Sequence, residues 1–226
     1  MSAVTHKVLG PDDGLRLQSG PGRDLIFKVT GDDTGGAFDY FIVEQHCHNF
    51  DKAAWVFNGE YPVACTAVGG RQVRTDPKYG NIYDHFAVVF EYADGKKLYS
   101  YCRQMQQCAN DVSDHVYGTK GYAELMSHTI KANGTAWSYE GKSPNMYVNE
   151  HREMIQALRA GKPINDMVSA ANSSLMGILG RQAAYTGKKI TWKQMMESKE
   201  RLVPETLAWG PNPVPPVPTP GTTKFV

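Results

Sequence analysis

Two alternating runs of strand-forming residues on either side of Asp94-Gly95 restrict the fold more than any other feature of this chain. Residues 87–92 read AVVFEY and residues 97–102 read KLYSYC. An Asp-Gly pair between two such runs favours the tight turn of a β-hairpin. Because runs of similar composition precede and follow this one, the pattern predicts a sheet built mainly from antiparallel neighbours.

Four other stretches follow a helical period. Residues 43–58 carry apolar side chains every three or four positions, and Asn58-Gly59 marks the end of that helix. Longer helices are predicted at 145–160 and 166–186, each followed by glycine, and a short one at 191–200. Strands and helices together predict an α+β fold, with an open, predominantly antiparallel β-sheet and helices packed on one face.

The two ends of the chain differ from its middle. Residues 1–41 combine Gly-rich and Asp-rich turns with short alternating runs and are predicted to form an N-terminal β element, separate or part of the same sheet. Residues 42–208 form the predicted α+β domain. The last stretch, 209–226, is too rich in proline for a helix or an interior strand, so we expect an extended arm.

Composition excludes several classes of protein. The formal net charge of +1 is spread along 226 residues, so neither nucleic acid nor an anionic membrane surface is the expected partner. No apolar run approaches ~18 residues and the start has no signal-peptide core, so the chain as written is expected to be cytoplasmic. The cysteines lack paired spacing and are predicted to be reduced core thiols: Cys47, Cys65, Cys102 and Cys108.

The helix predicted at 43–58 carries the main candidates for catalysis. Glu44 and His48 stand four residues apart, which places a carboxylate and an imidazole on one stripe of an α-helix. If the segment were extended, Glu44, His46 and His48 would instead share one face. Together with His85 and His115 on predicted strands, Glu44, His46 and His48 are candidate ligands for zinc, manganese or iron. If residues 43–58 form a helix, however, His46 points away from Glu44 and His48.

Several motifs in a fixed order carry a resemblance to a known family: EQHCHNFDKAAWVFNG, GGRQVRT, YDHFAVVFEYADG, HVYGTKG, EHREMIQALRAGKPIND and WGPNPVPPVPTPG. From residue 42 to residue 226 the chain resembles the C-terminal domain of the glucose-fructose oxidoreductase/inositol dehydrogenase (Gfo/Idh/MocA) family. The similarity is greatest to a bacterial branch with Tat-exported members, so periplasmic relatives are expected. Residues 7–38 also resemble the opening strands of a cupin barrel, without its metal-binding HxH motif, and could be a fusion.

The resemblance implies a substrate-binding and oligomerisation domain. Glu44 and His48 match the family's D-x-x-x-H motif, and Asp51 and Trp55 match the Asp and Trp that follow it. His48 would move a hydroxyl proton beside the sugar carbon that loses hydride, and Glu44 would orient it or bind a neighbouring hydroxyl. Three basic side chains, those of Arg71, His85 and Arg103, are further substrate-binding candidates, although the arginines could instead pair with acids.

No G-x-G-x-x-G motif follows a strand, so no nucleotide is expected to bind these 226 residues alone. Three functions remain open. In the first, the chain is the substrate domain of a sugar oxidoreductase, either truncated or acting with a separate NAD(P)-binding partner. In the second, it is a lyase, isomerase or hydrolase that acts on a sugar or keto-sugar without a nucleotide, with or without a metal. In the third, it is a non-catalytic domain that binds carbohydrate or dimerises. An uncovered sheet face predicts a homo-oligomer, most simply a face-to-face homodimer.

Overall fold

The computed structural model describes residues 4–7, 15–19, 26–29, 41–109, 111–142, 145–202 and 213–226, in which strands and helices mostly follow one another in groups. The strands in these ranges are Val4–Lys7 (β1), Leu15–Ser19 (β2), Ile26–Val29 (β3), Ala64–Gly70 (β4), His85–Glu91 (β5), Lys97–Arg103 (β6), His115–Gly118 (β7), Gly121–Glu124 (β8), Thr129–Ala132 (β9), Thr135–Ser138 (β10) and Ile190–Thr191 (β11). The α-helices are His46–Val56 (α1), Met146–Arg159 (α2), Met167–Thr186 (α3) and Trp192–Met196 (α4).

The described strands form three open sheets in which every neighbouring pair is antiparallel. Their orders are β1-β2-β3, β11-β4-β5-β6 and β10-β9-β8-β7. The predicted α+β class with antiparallel, open sheets is confirmed, although the strands are divided among several sheets. The chain divides into two compact units, one made of residues 1–105 and 165–226 and the other of residues 106–164. The domain limits at residues 41 and 208 stay predictions.

The hairpin predicted around Asp94-Gly95 joins β5 to β6. The backbone N–H of Tyr92 donates to the carbonyl of Lys96 over 3.0 Å, and the N–H of Gly95 donates to the carbonyl of Tyr92 over the same distance. Gly95 has a φ of 89°, which a residue without a side chain adopts at little cost. Local turn chemistry therefore sets the register of the two strands.

The core of the first unit lies between α3 and the sheet of β11, β4, β5 and β6. Side chains on β5 alternate, so that Phe86, Val88 and Phe90 are buried toward α3 while the residues between them are partly exposed. Helix α3 lies close to the chain at Gly177, where an added Cβ would stand 2.8 Å from the carbonyl oxygen of Ile42. The small residue allows the segment before α1 to rest directly on α3.

A π-helical turn, Phe41–Gln45, leads into α1. The sequence predicted one continuous helix over 43–58, so the helix is confirmed but its first turn is wider than expected. A π turn brings residues five apart onto one side, and Ile42 and Cys47, which are five apart, are both buried. Residue 44 therefore does not stand in continuous α-helical register with His48.

The second unit combines the sheet of β7 to β10 with α2. Asn145 begins the helix, because its side-chain Oδ1 accepts the backbone N–H groups of Tyr147 and Val148. The predicted helix over 145–160 is confirmed. Its apolar side chains are exposed, among them Tyr147, Met154, Ile155 and Leu158.

Residues 213–226 of the predicted arm pack against other parts of the first unit. The backbone N–H of Gly221 donates to the carbonyl of Thr186 over 2.9 Å, and the carbonyl of Val226 accepts from the hydroxyl of Ser198 over 2.6 Å. Phe225 packs against the hydrophobic core. Residues 209–212 lie outside the described part of the chain.

The four cysteines are unbonded to one another but do not share one environment. Cys47 and Cys65 are buried and Cys102 is partly buried, as predicted for core thiols. Cys108 is exposed, so the prediction is wrong for this residue, which follows a turn beyond the end of β6. None of the helices in the described ranges is both long and apolar enough to cross a bilayer.

Candidate active site

Helix α1 separates a buried side from a polar side. Cys47, Phe50 and Ala54 face the core, where Phe50 packs edge-on against Phe90 with ring centroids 5.2 Å apart. His48 and Trp55 lie on the other side, since positions i and i+7 fall on one stripe. The packing of α1 against α3 therefore holds the candidate catalytic side of the helix away from the core.

His48 and Trp55 form the exposed stripe of α1 together with Lys52, one turn after His48. Trp55 is 74% exposed, which is unusual for so large an apolar side chain. Burial of part of the imidazole lowers the pKa of His48, and the positive charge of Lys52 lowers it further. The neutral ring, which can accept a proton, is therefore favoured near pH 7.

Asp51, a predicted substrate ligand, is held by α3. Its Oδ1 accepts a hydrogen bond from the hydroxyl of Ser173 over 3.0 Å, and Ser173 is buried. The contact joins the two helices and fixes the rotation of α1, which positions His48. A role for Asp51 in substrate binding stays a prediction.

The two histidines around Cys47 point in different directions. His46 turns toward the sheet, where its Nδ1 lies 3.4 Å from the hydroxyl of Ser100 and its ring lies beside Phe50. His48 lies on the solvent side of the helix. Among the described residues no three His, Cys, Asp or Glu side chains come together in a metal-binding group. The side chain of Glu44 lies outside the described part of the chain, so its pairing with His48 stays a prediction.

His85 lies at the start of β5, where its ring is fixed by a buried acid. Its Nδ1 is 2.8 Å from Oδ1 of Asp84, whose side chain is completely buried. The other oxygen of Asp84, Oδ2, accepts the backbone N–H groups of Gln72, Val73 and Arg74 over 2.7, 2.6 and 2.9 Å. Burial alone would raise the pKa of Asp84, but these four hydrogen bonds outweigh it and hold the pKa below its ordinary value.

The predicted basic side chains are divided between different tasks. Arg103 on β6 stands directly opposite His85 on β5 in the strand register. Arg71 instead donates to the carbonyl oxygens of Gly80 and Asp76, over 2.5 and 2.9 Å, and so closes the loop after β4. His115, the remaining metal candidate, belongs to the second unit and lies 3.1 Å from the hydroxyl of Ser113.

These positions do not place all predicted site residues together. The alternation along β5 puts His85 on the sheet face turned away from α3, while His48 lies on α1, which packs against α3 on the helical side. The sequence analysis did not identify Asp84, which holds the ring of His85. The adjacent Asp84 and His85 in the motif YDHF were the available signal. The three backbone N–H groups that donate to Asp84 belong to residues 72–74, which follow β4, and the motif does not indicate them.

Comparison with known proteins identifies one family. Residues 29–124 match the GFO/IDH/MocA C-terminal domain. Comparison with curated protein sequences yields no match.

Solved structures of several oxidoreductases share the fold at low sequence identity. An aldose-aldose oxidoreductase from Caulobacter crescentus, complexed with glycerol, is 19% identical with a TM-score of 0.52 over 64% of this chain and 45% of that one. A UDP-N-acetylglucosamine 3-dehydrogenase from Acidithiobacillus ferrooxidans is 16% identical, with a TM-score of 0.54 over 63% and 46%. An oxidoreductase from Agrobacterium radiobacter, in complex with NAD+, L-tartaric acid and magnesium, is 14% identical, with a TM-score of 0.53 over 70% and 51%.

The match thus spans about half the length of each of these three proteins. Residues 29–124 include the π turn, α1, β4, β5 and β6. His48 lies on α1 and His85 lies on β5. The resemblance predicted from the sequence motifs is confirmed for residues 29–124, which match the GFO/IDH/MocA C-terminal domain.

Proposed function

We propose that this chain is the substrate-binding and oligomerisation domain of an oxidoreductase that acts on a sugar or a related polyhydroxylated compound. The observation that carries the proposal is the exposed His48, held on a helix whose other side is fixed in the core. The three similar proteins are an aldose-aldose oxidoreductase, a dehydrogenase of a nucleotide sugar and an oxidoreductase in complex with tartaric acid, and these compounds share adjacent hydroxyl groups.

His48 is the proton acceptor in this proposal. Oxidation of an alcohol to a carbonyl requires the hydroxyl proton to leave as hydride departs from the same carbon. A neutral imidazole within hydrogen-bonding distance can take that proton, and the lowered pKa of His48 keeps its ring neutral near pH 7. Trp55 offers an apolar ring on the same stripe, against which the C–H face of a sugar can pack. Glu44 would bind a hydroxyl or orient His48.

The hydride acceptor must be held elsewhere. Dinucleotides bind where parallel strands are joined by crossover helices with a glycine-rich turn. All strand pairs within the described ranges are antiparallel, so these residues do not fit an NAD(P) site. The proposal therefore assigns NAD(P) to a nucleotide-binding domain outside these 226 residues, on the same polypeptide or on a partner, and derives no step through it.

Binding of neutral polyols tests the proposal. The chain is titrated with myo-inositol, D-glucose and D-glucitol while the imidazole signals of all seven histidines are followed by NMR. We expect one or more of these compounds to shift the signals of His48, and His48→Gln to weaken binding about tenfold, equal to about 1.4 kcal/mol. His151→Gln, which changes an exposed histidine on α2, is the matched control and should bind normally.

Three results would contradict the proposal. One is ligand binding that leaves His48 unshifted, and another is full affinity in His48→Gln. The third is conversion of a sugar by the chain without any nucleotide, which would replace the oxidoreductase with a lyase, isomerase or hydrolase.

The oligomerisation role is supported by the sheet face turned away from α3. Its central rows align Val68 with Ala87 and Tyr101, and Thr66 with Val89 and Tyr99. Val68, Tyr99 and Tyr101 are 71%, 57% and 69% exposed. A row of exposed apolar and aromatic side chains can pack against the same row of a second copy about a two-fold axis, so we propose that a second copy of this chain covers this face.

Sedimentation velocity tests the dimer. We expect a dimer at micromolar concentration, and Tyr101→Asp should convert it to a monomer because it places a charge in the centre of the face. Tyr147→Asp, an exposed tyrosine on α2, should leave the dimer intact. A monomeric wild-type chain, or a dimer unaffected by Tyr101→Asp, would contradict this arrangement.

A further inference from the structure

A row of aromatic rings lies on one face of the sheet formed by β7 to β10, and the proposed function does not use it. The ring of Tyr117 on β7 is nearly parallel to that of Tyr122, its partner on β8, with centroids 6.1 Å apart and an interplanar angle of 26°. The ring of His115 lies beside Tyr117 at 6.4 Å with the same angle. On β9, Nζ of Lys131 stands 5.5 Å from the centroid of Tyr122. These side chains therefore form one band across three strands.

Alternation along the strands gives the two faces of this sheet different compositions. One face, here called the tyrosine face, carries His115, Tyr117, Tyr122, Glu124, Thr129, Lys131, Ala136 and Ser138. The opposite face carries an apolar row that the strand register aligns, made of Val116, Ala123, Ile130 and Trp137. Hydroxyl, amino, carboxyl and imidazole groups accompany the rings on the tyrosine face, so its composition suits contact with water. Tyr117 is 79% exposed and is therefore accessible to a ligand.

Polar groups are held next to the rings. Oε2 of Glu124 accepts a hydrogen bond from the hydroxyl of Ser127 over 3.0 Å, and the same hydroxyl lies 3.0 Å from that of Thr129. Nε2 of His115 lies 3.1 Å from the hydroxyl of Ser113. Glu124 stands directly opposite His115 in the strand register. A carboxylate and an imidazole are thus positioned beside the tyrosines, where they can exchange hydrogen bonds with hydroxyl groups of a ligand.

The charge of the tyrosine face distinguishes between classes of ligand. One of its side chains is acidic and one is basic, Glu124 and Lys131, so the face has no net charge when His115 is neutral. Single-stranded nucleic acid also stacks on aromatic rings, but it binds along a positively charged groove, and Glu124 would repel its phosphates. An uncharged sugar chain has no such requirement. Its C–H faces pack on aromatic rings, and its hydroxyl groups pair with neighbouring polar side chains.

We propose that the tyrosine face is a binding site for an uncharged linear oligosaccharide. Tyr117 and Tyr122 pack against the C–H faces of successive sugar rings, while His115, Glu124 and Lys131 bond to hydroxyl groups along the chain. Because the aromatic rings follow one another across neighbouring strands, a single sugar covers only part of the row. The site goes beyond the proposed function, which rests on His48 in the other compact unit.

Neutral hexasaccharides test the site, with cellohexaose, mannohexaose, xylohexaose and maltohexaose as the probes. NMR follows the tyrosine ring signals, and calorimetry measures the affinities. We expect at least one hexasaccharide to shift the signals of Tyr117 and Tyr122 and to bind about tenfold more tightly than D-glucose, or better. Tyr117→Ala should lower this affinity about tenfold, whereas Tyr117→Phe keeps the ring and should retain most of it. Tyr147→Ala, at an exposed tyrosine on α2, is the matched control and should bind like the wild type.

The site would be overturned if none of the hexasaccharides binds, if D-glucose binds as tightly as they do, or if Tyr117→Ala keeps full affinity. Should Tyr117→Ala fail to fold, Tyr117→Leu replaces it, since leucine keeps apolar bulk but lacks the flat ring and should lose affinity equally. A changed sedimentation coefficient in Tyr117→Ala would show that the tyrosine face contacts another protein, and would also overturn the site.

This result is separable from the one at His48. A hexasaccharide that shifts His48 and leaves Tyr117 and Tyr122 unshifted would overturn the tyrosine face as a site, although the proposal on His48 would stand. His48→Gln should keep the shifts of both tyrosines, so failure of the proposal on His48 leaves the result on the tyrosine face interpretable.

Discussion

The hydroxyl of Tyr83 donates a hydrogen bond to the carbonyl oxygen of Pro218 over 2.9 Å, across 135 residues of chain. Tyr83 is buried, and its ring packs edge-on against Tyr185 of α3 with centroids 4.7 Å apart. The bond joins the loop before β5 to the C-terminal arm. Because the same loop holds Asp84, the arm and the His85 region share one support.

Loss of this bond should lower stability by a modest, measurable amount. Tyr83→Phe removes the hydroxyl and keeps the ring, so the free energy of unfolding should fall by about 1 kcal/mol. Chemical denaturation measures the change. Tyr117→Phe, at an exposed tyrosine on β7, is the control and should unfold like the wild type. Equal midpoints for both variants would show that the arm adds no stability through Tyr83.

Breaking the ion pair between Arg181 and Glu200 should destabilise the chain more strongly. Arg181 on α3 is 2% exposed and contacts the carboxylate of Glu200, which also accepts from Gln182. Glu200→Ala leaves a buried guanidinium without this partner, at a cost of about 3 kcal/mol in the free energy of unfolding.

Glu197→Ala, an exposed acid nearby, should change the free energy of unfolding by less than about 0.5 kcal/mol. The double variant Arg181→Met/Glu200→Ala should recover part of the loss, because the buried charge is removed as well. A Glu200→Ala variant as stable as Glu197→Ala would count against a contribution from the pair.

His48 should titrate below the ordinary histidine pKa of ~6.5, because its burial and Lys52 both disfavour the charged ring. NMR titration measures the midpoint directly, and Lys52→Gln should raise it. At pH values between the pKa of His48 in the folded chain and its pKa in the unfolded chain, the unfolded chain binds more protons. The free energy of unfolding therefore falls as the pH drops through this range and becomes constant again below the pKa of the folded chain. A midpoint above ~6.5 would contradict the expected environment of His48.

Two glycines of α3 should respond differently to alanine. An added Cβ at Gly177 meets the backbone of Ile42 at 2.8 Å, whereas at Gly180 it meets side-chain atoms of Val88 and Ile42 at 3.2 Å or more. Backbone cannot yield as side chains do, so Gly177→Ala should destabilise the fold by about 1–3 kcal/mol. Gly180→Ala should be close to neutral, because helix propensity favours alanine. Thermal unfolding of the two variants provides the comparison, and equal effects would refute it.

Local chemistry explains which elements could be predicted from the sequence. The hairpin at Asp94-Gly95 and the helix ends at Gly161 and Gly187 each depend on residues next to them, so their patterns indicate the structure directly. The acidic and basic candidates could be named for the same reason, since their side-chain chemistry does not depend on the fold.

Long-range register explains what could not be predicted. The three backbone donors to Asp84 come from residues 72–74, which only the pairing of β4 with β5 brings near it. The π turn before α1 responds to the glycine on α3, more than 130 residues later in the chain. The division of His48 and His85 between two sides of the sheet likewise depends on packing that no short motif records.

The close approach of α3 to the π turn also affects which substitutions can alter the position of α1. Since residue 177 rests on the backbone that leads into α1, a single methyl group there would tilt or slide the helix that carries His48. A substitution at residue 177, which does not contact a substrate, would therefore change the position of His48 and with it the activity. Laboratory evolution of such a protein should accordingly select changes along the α3 contact as well as on the exposed stripe of α1.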